Sequence, residues 1–304
     1  MLAITGKRGK HRGEGTYSGA GDVMRARDEG LIVVGYDGSE ASEQAVRWAV
    51  EEARMRFAPL SVCHVWRQPY PVNFVDPATM DVLAHMGRYV LDRGVDLARG
   101  LAPRLDVRGR LDMGSPAATL LAESAGADLV VVGQRGAGGF EELRIGSTAS
   151  QLAAHAYCPV AIVKNLPRSR GGRVVVGVEG TRMERGELRV AFEAARIRRV
   201  PLSAFCLCPA GTDDPKPFAK RFYCDISVWE EKYPGVEVET IVDARPYTRL
   251  LHRAAEDAGL VVIGDCGDDD PVELPLGVVC QALLREAPCT VTVVPSRRSA
   301  TFSR

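Results

Sequence analysis

The sequence predicts an α/β protein built from two tandem domains, each a doubly wound, five-stranded parallel sheet. Three observations predict it. Apolar runs suited to buried strands alternate with segments of helical period. The opening of that pattern recurs without a gap, Leu31-Ile-Val-Val-Gly-Tyr-Asp-Gly38 matching Arg173-Val-Val-Val-Gly-Val-Glu-Gly180 at an offset of 142. A glycine loop also occurs twice, as Gly133-Gln-Arg-Gly136 with Gly146 and as Gly264-Asp-Cys-Gly267 with Gly277. Self-similarity in a chain of 304 residues means two copies of one domain.

In the first copy, Leu31–Tyr36 is a continuous apolar run, as expected of a strand buried on both faces. Asp37-Gly38-Ser39 turns the chain, with Ser39 as helix N-cap, and Ala41–Phe57 follows with helical period. Leu60–Trp66 reads as the second strand. A polar loop through 69–77 leads to a helix from about Met80 to Leu101. Leu105–Met113 is the third strand, and Ser115-Pro116 opens a helix, proline being favoured in the first turn. Strand Leu129–Val132, the glycine loop, helix Ser147–Ala156 and strand Pro159–Lys164 complete the unit. Residues 1–30 have no sustained period and read as a leader, whose basic cluster around Lys7 to Arg12 fits a solvated tail. We place the domains at 31–165 and 173–296, with a linker at 166–172 and a tail at 297–304.

Composition excludes several classes. Thirty-nine basic and thirty-nine acidic residues cancel, so no global field recruits nucleic acid or an anionic membrane. No apolar run approaches the roughly 20 residues that span a bilayer, and the leader lacks the apolar core of a secretory signal. Eight cysteines without paired C-x-x-C spacing argue against disulfide scaffolds and zinc, so a reduced, cytoplasmic setting is expected. Cys206 and Cys208 share one strand face and read as apolar packing. The five histidines form no i, i+4 pair and no G-x-S-x-G elbow exists, so neither a metal pair nor a nucleophilic serine is indicated.

The glycine loop is the segment with chemistry. A strand running into glycines and then a helix start is an anion-binding arrangement. Gly133 and Gly136 lack a Cβ, so a ligand could approach the backbone closely. Gly146 leads onto a helix N-terminus with free amides, and Ser147 and Thr148 add hydroxyl donors. Arg135 either pairs with a phosphate or stands in solvent. Asp37 ends the first strand at the topological switch point, where open α/β sheets bind ligands.

Val34-Gly-Tyr-Asp37, Gly114-x-Pro116, the glycine loop with Gly146-Ser147 and Cys158-Pro-Val-Ala-Ile-Val163 together resemble the universal stress protein family in its tandem form. The resemblance is strong over about 30–165 and weaker over 173–295. It implies a five-stranded parallel sheet whose last strand often makes dimer contacts. For the nucleotide-binding branch it implies ATP, with or without magnesium, on the glycine loop. It also implies that Asp37 faces the nucleotide through ribose, base or a divalent ion, and that Val65 and Val132 lie beside adenine. As strand-end residues, both valines also fit an ordinary core. Which of ATP, ADP, AMP or a cyclic nucleotide is the ligand stays open, as does pairing of the last strand within the chain or in a homodimer.

The second copy differs in its chemistry. Glu179 stands for Asp37, Val278 for Ser147, and Asp265, Asp268, Asp269, Asp270 and Glu273 crowd the loop. A carboxylate about 4 Å from a phosphate costs on the order of 4 kcal/mol at an effective dielectric near 20. That exceeds the roughly 1 kcal/mol a helix terminus contributes, so this copy is expected to pack or regulate. A divalent cation on those carboxylates would reverse the sign, although loop aspartates are more often solvated. The function expected is a nucleotide-responsive regulatory protein with a protein partner that the sequence does not identify. The alternatives are a weak ATPase, for which no base beyond Asp37 is visible, and a dimerisation module with a vestigial loop.

Overall fold

The computed structural model describes residues 30–67, 76–138, 144–164, 172–179, 186–208, 214–243, 247–265 and 276–295. The first half runs β1 (Ile32–Gly35), α1 (Glu40–Arg56), β2 (Leu60–Trp66), α2 (Pro77–Leu101), β3 (Val107–Met113), α3 (Pro116–Ser124), β4 (Leu129–Gly133), α4 (Ser147–His155) and β5 (Val160–Val163). The second repeats it as β6 (Arg173–Glu179), α5 (Gly186–Arg198), β7 (Leu202–Leu207), α6 (Lys216–Lys232), β8 (Val238–Asp243), α7 (Tyr247–Glu256), β9 (Ala258–Gly264), α8 (Val278–Glu286) and β10 (Thr290–Val294).

All ten strands share one sheet, ordered β3-β2-β1-β4-β5-β10-β9-β6-β7-β8. Each half is parallel throughout with the doubly wound order 3-2-1-4-5 or its repeat. Among the described residues the one antiparallel ladder joins β5 to β10, pairing Ile162 with Val291 and Val160 with Val293. The last strands therefore pair within the chain.

Strand residues alternate between the two faces, and the two faces are packed differently. On one face, Val33, Val130, Val132 and Ile162 join Val175, Val261, Ile263 and Val291 in one core that runs through both halves beneath α4 and α8. On the other, Ile32, Val34, Val62 and Val131 pack under α1 and α2, while Val174, Val176 and Val262 pack under α5 and α6. Trp48 of α1 lies against both of these cores. Cys206 and Cys208 are buried in the second of them, as the same-face reading required.

Local chemistry sets the helix ends. Ser39 Oγ accepts the Ser42 N–H at 3.3 Å and caps α1. The α2 helix starts at Pro77, a few residues before the expected Met80, because Asp76 caps it: its carboxylate accepts the Thr79 N–H at 3.0 Å, with Pro77 in the first turn. The third strand opens at Val107 and not at Leu105, whose N–H instead turns back to the Ala102 carbonyl at 3.0 Å.

Two charged groups are buried where the halves meet. Glu52 of α1 is only 1% exposed and accepts Arg56 Nε at 2.7 Å and the Arg198 guanidinium of α5. Arg56 reaches on to Glu193 at 3.1 Å. Arg56 and Arg198 are equivalent under the 142-residue offset (198 − 56), so repeat-related arginines clasp one glutamate whose own counterpart is Ala194. At the end of β5, Lys164 Nζ donates to the Leu283 carbonyl of α8 at 2.9 Å. Burial pushes this amine down to about 8, against the opposing influence of Cys289 and Glu286.

Candidate functional site

The carboxyl ends of β1, β2 and β4 enclose a cleft of about 340 Å³, at the point where the connections from β1 and β4 diverge to opposite faces. This volume lies in the range of small-ligand sites. Asp37, Val65, Val132, Gly133, Arg135, Gly136, Gly146, Ser147 and Thr148, the nine residues singled out from the sequence, all line it. Tyr36, Ser42, Cys63, Arg67, Pro116, Leu120, Gln134, Ala137, Gly138 and Ala149 line it as well and were not anticipated. One signal for some of these was available. Residues 63, 65 and 67 alternate along β2 and its exit, so placing Val65 at the cleft also directs Cys63 and Arg67 there.

The loop after β4 is fixed at its neck. The Gln134 N–H donates to the Val163 carbonyl, and the Gln134 carbonyl accepts the Gly146 N–H, both at 2.9 Å. The Gln134 side-chain amide also donates to the Arg144 carbonyl. Gly146 is the N-cap of α4 and no side chain caps that helix, so the end presented to the cleft is amide-rich and positive. Ser147 and Thr148 stand in its first turn.

Asp37 is tied into this frame. Its Oδ1 accepts the Ser39 N–H at 3.1 Å and the Ser39 hydroxyl at 2.6 Å, and its Oδ2 accepts the Ala137 N–H at 2.7 Å. Burial opposes its ionisation, but these hydrogen bonds outweigh burial and hold the carboxyl below the usual range. The carboxylate thus bridges the β1 exit to the loop, 100 residues further along the chain. Cys63, by contrast, is a buried thiol pushed up to about 12, chiefly by burial and secondarily by Glu123. It forms part of an apolar wall with Val65 and Leu120.

Two of the glycines are also required by packing. A Cβ on Gly133 would lie 2.7 Å from the backbone of Ala41, and one on Gly136 would lie 2.4 Å from Asp37 Oδ2. Their small size therefore admits α1 and the Asp37 carboxylate. Gly146 has ordinary backbone angles and contacts no closer than 3.4 Å.

The second half keeps the neck and changes its side chains. The Asp265 N–H donates to the Val294 carbonyl at 3.0 Å, and the Gly277 N–H to the Asp265 carbonyl at 3.2 Å. These repeat the two Gln134 bonds at an offset of 131 (265 − 134 and 277 − 146). Val278, in place of Ser147, is 63% exposed at the head of α8. The acidic positions 268, 269, 270 and 273, Gly267 and the Glu179 side chain lie outside the described residues.

A doubly wound parallel α/β unit, present twice in one sheet with the same loop neck after its fourth strand, defines a tandem Rossmann-like protein. The model of the universal stress protein family matches residues 31–164 and again 172–295. The chain belongs to that family. It is 30% identical to a universal stress protein of Mycobacterium tuberculosis across 91% of this chain and all of the relative. A second protein so named from that species is 32% identical, covering 86% of this chain and 95% of its own. A crystal structure of a universal stress protein from Archaeoglobus fulgidus shares the fold, with a TM-score of 0.70 at 16% identity over 87% of this chain and 98% of that one. Among the described residues no helix is long and apolar enough to cross a membrane.

Proposed function

We propose that the first half binds an adenine nucleotide, ATP foremost, with its phosphates on the 133–148 loop and the α4 N-terminus. One observation supports the reading above others: nine residues chosen for phosphate and base chemistry, drawn from separate stretches of the chain, meet in one cleft of ligand size. Ser147, Thr148 and the loop amides are suited to phosphate oxygens. The wall of Val65, Val132 and Leu120 is suited to a flat base.

Among the described residues that line the cleft Asp37 is the one carboxylate, and three donors already occupy its oxygens. A magnesium ion would therefore ride on the nucleotide phosphates and be held little by the protein. Among the described residues no group of three or more His, Cys, Asp or Glu side chains could hold a metal. In this reading the chain is a regulatory binding protein of the cytoplasm, not an enzyme. Occupancy orders the loop and alters a surface read by a partner protein, and the second half packs and regulates without binding a nucleotide.

Equilibrium titration of the full chain with ATP tests the reading. One site per chain is expected, lost in Ser147→Val with Thr148→Val, which imitates the apolar helix head of the second half. No heat or thermal shift at millimolar ATP would refute it, and two sites per chain would refute the role given to the second half.

A further inference from the structure

The cleft contains a cation that the ATP reading leaves without a task. Arg67 follows β2, on the same side as Cys63 and Val65, and lines the cleft at its rim. Among the described residues nothing forms a hydrogen bond or ion pair with it. Asp37 is not its partner, because both Asp37 oxygens face Ser39 and Ala137. The other lining cation, Arg135, belongs to the phosphate loop.

Position separates the two arginines. In the order β2-β1-β4, Arg67 stands above one strand and the loop above the next but one. Two strand spacings put them roughly 10 Å apart at the backbone. Phosphates seated on the α4 N-terminus would leave Arg67 facing the nucleoside, across the apolar floor of Cys63, Val65 and Leu120. A guanidinium offers five N–H donors and no acceptor, and its planar fork matches a phosphate. Adenine offers it single ring-nitrogen acceptors but no bidentate match, because the exocyclic amine beside N1 and N7 is itself a donor.

We infer that, among adenine nucleotides, the cleft prefers over ATP itself one that carries a second anionic group, a phosphate on its ribose in addition to its 5′ phosphate, and that Arg67 recognises it. This rests on the nucleotide reading above and gives that site a ligand class, a ribose-phosphorylated adenine nucleotide. Arg67 acts as the specificity residue. The loop supplies affinity for the 5′ group.

The test uses probes with equal numbers of phosphates in different places. The full-length chain and its Arg67→Gln variant are titrated by calorimetry with ADP, adenosine 3′,5′-bisphosphate and adenosine 2′,5′-bisphosphate. One bisphosphate is expected to bind the wild type about tenfold or more tighter than ADP, as one charge-assisted contact supplies. Arg67→Gln should erase that preference, weakening the favoured bisphosphate about tenfold more than it weakens ADP, and the favoured isomer identifies the ribose position. Equal affinity for ADP and both bisphosphates overturns the inference and leaves the nucleotide reading standing. So does an equal loss of all three in the variant, which would mean that Arg67 stacks on the base. Failure of all three to bind overturns both.

Discussion

Substituting the loop glycines one at a time separates what the fold needs from what the site needs. At Gly136 an added Cβ lies 2.4 Å from Asp37 Oδ2, about 1 Å inside the 3.4 Å at which ordinary contact begins. The nearest obstacle is a side chain, so Gly136→Ala is relieved by moving Asp37 away from the Ala137 N–H. A buried hydrogen bond to a charged group is worth roughly 1.5–3 kcal/mol, and water in this open cleft recovers part of it, leaving about 1 kcal/mol. Melting entropy near 2.1 cal/mol/K per residue gives about 0.6 kcal/mol/K for a chain of 304 residues. The unliganded melting temperature should therefore fall by less than about 2 °C. A ligand at a hundred times its Kd adds about 2.7 kcal/mol, or about 4 °C, to the wild type. With the loop and Asp37 displaced, that shift should be largely absent.

Two neighbours calibrate the result. Gly133→Ala places a Cβ 2.7 Å from the Ala41 backbone in the first turn of α1, where no side chain can give way. Overpacking of this kind costs about 1–3 kcal/mol, so the unliganded protein should melt about 2–5 °C lower. A Cβ on Gly138 meets nothing within 4 Å, so Gly138→Ala should leave both melting temperature and ligand shift as in the wild type. Differential scanning calorimetry with and without ATP measures all three variants. The reasoning fails if Gly136→Ala keeps its ligand shift, or if Gly138→Ala loses its own to the same extent.

Two further outcomes concern the contacts between the halves. Glu52→Ala would leave Arg198 without its buried carboxylate and Arg56 with Glu193 alone, and should destabilise the protein by about 3 kcal/mol in urea unfolding; a loss under about 1 kcal/mol would mean that water and Glu193 satisfy the two arginines. Lys164 titrates at about 8 in the folded protein, against 10.5 for the free side chain, so the unfolded chain binds the extra proton between those values. Folded stability should then rise with pH across that window, the cost of the buried charge being fully present below pH 8. The urea midpoint of the wild type should accordingly gain on that of Lys164→Met between pH 7 and 10, and a constant difference would show that Lys164 is not the titrating group.

The legible parts of the fold were those written in local period and in self-repetition. The β1 and β6 runs, the Ser39 cap and the two glycine loops each carry their signal within a few residues. Asp37 could be placed because a strand end at a switch point is defined by order alone, whereas Val65 was placed by the family resemblance. The packing role of Gly133 and Gly136 was not legible, because the atoms they make room for, Ala41 and Asp37, lie about 100 residues earlier in the chain. Arg67 was missed because an arginine after a strand carries no local mark of its surroundings. The Glu52 clasp and the Lys164 contact were missed for a related reason: each depends on the β5–β10 ladder, and an edge strand does not encode which edge it will meet. That ladder decides between pairing within the chain and pairing between chains.

The repeat itself shows which properties the second half had to keep. Its loop neck repeats the hydrogen bonds of the first almost atom for atom, so the backbone scaffold survived while Gln134 became Asp265 and Ser147 became Val278. Scaffold and chemistry have therefore separated. What the first half requires of its partner is cover for β5, whose residues Val160 to Val163 are all buried. Supplying β10 from the same chain makes that pairing intramolecular and independent of protein concentration. It also leaves β3 and β8 as the ends of the sheet, and β3 presents the exposed Arg108 and Arg110, charges that discourage edge-to-edge association. A half that supplies an edge, a shared core and a carbonyl for Lys164 remains necessary to the first half even when its own helix head presents an exposed valine where a phosphate would need a hydroxyl.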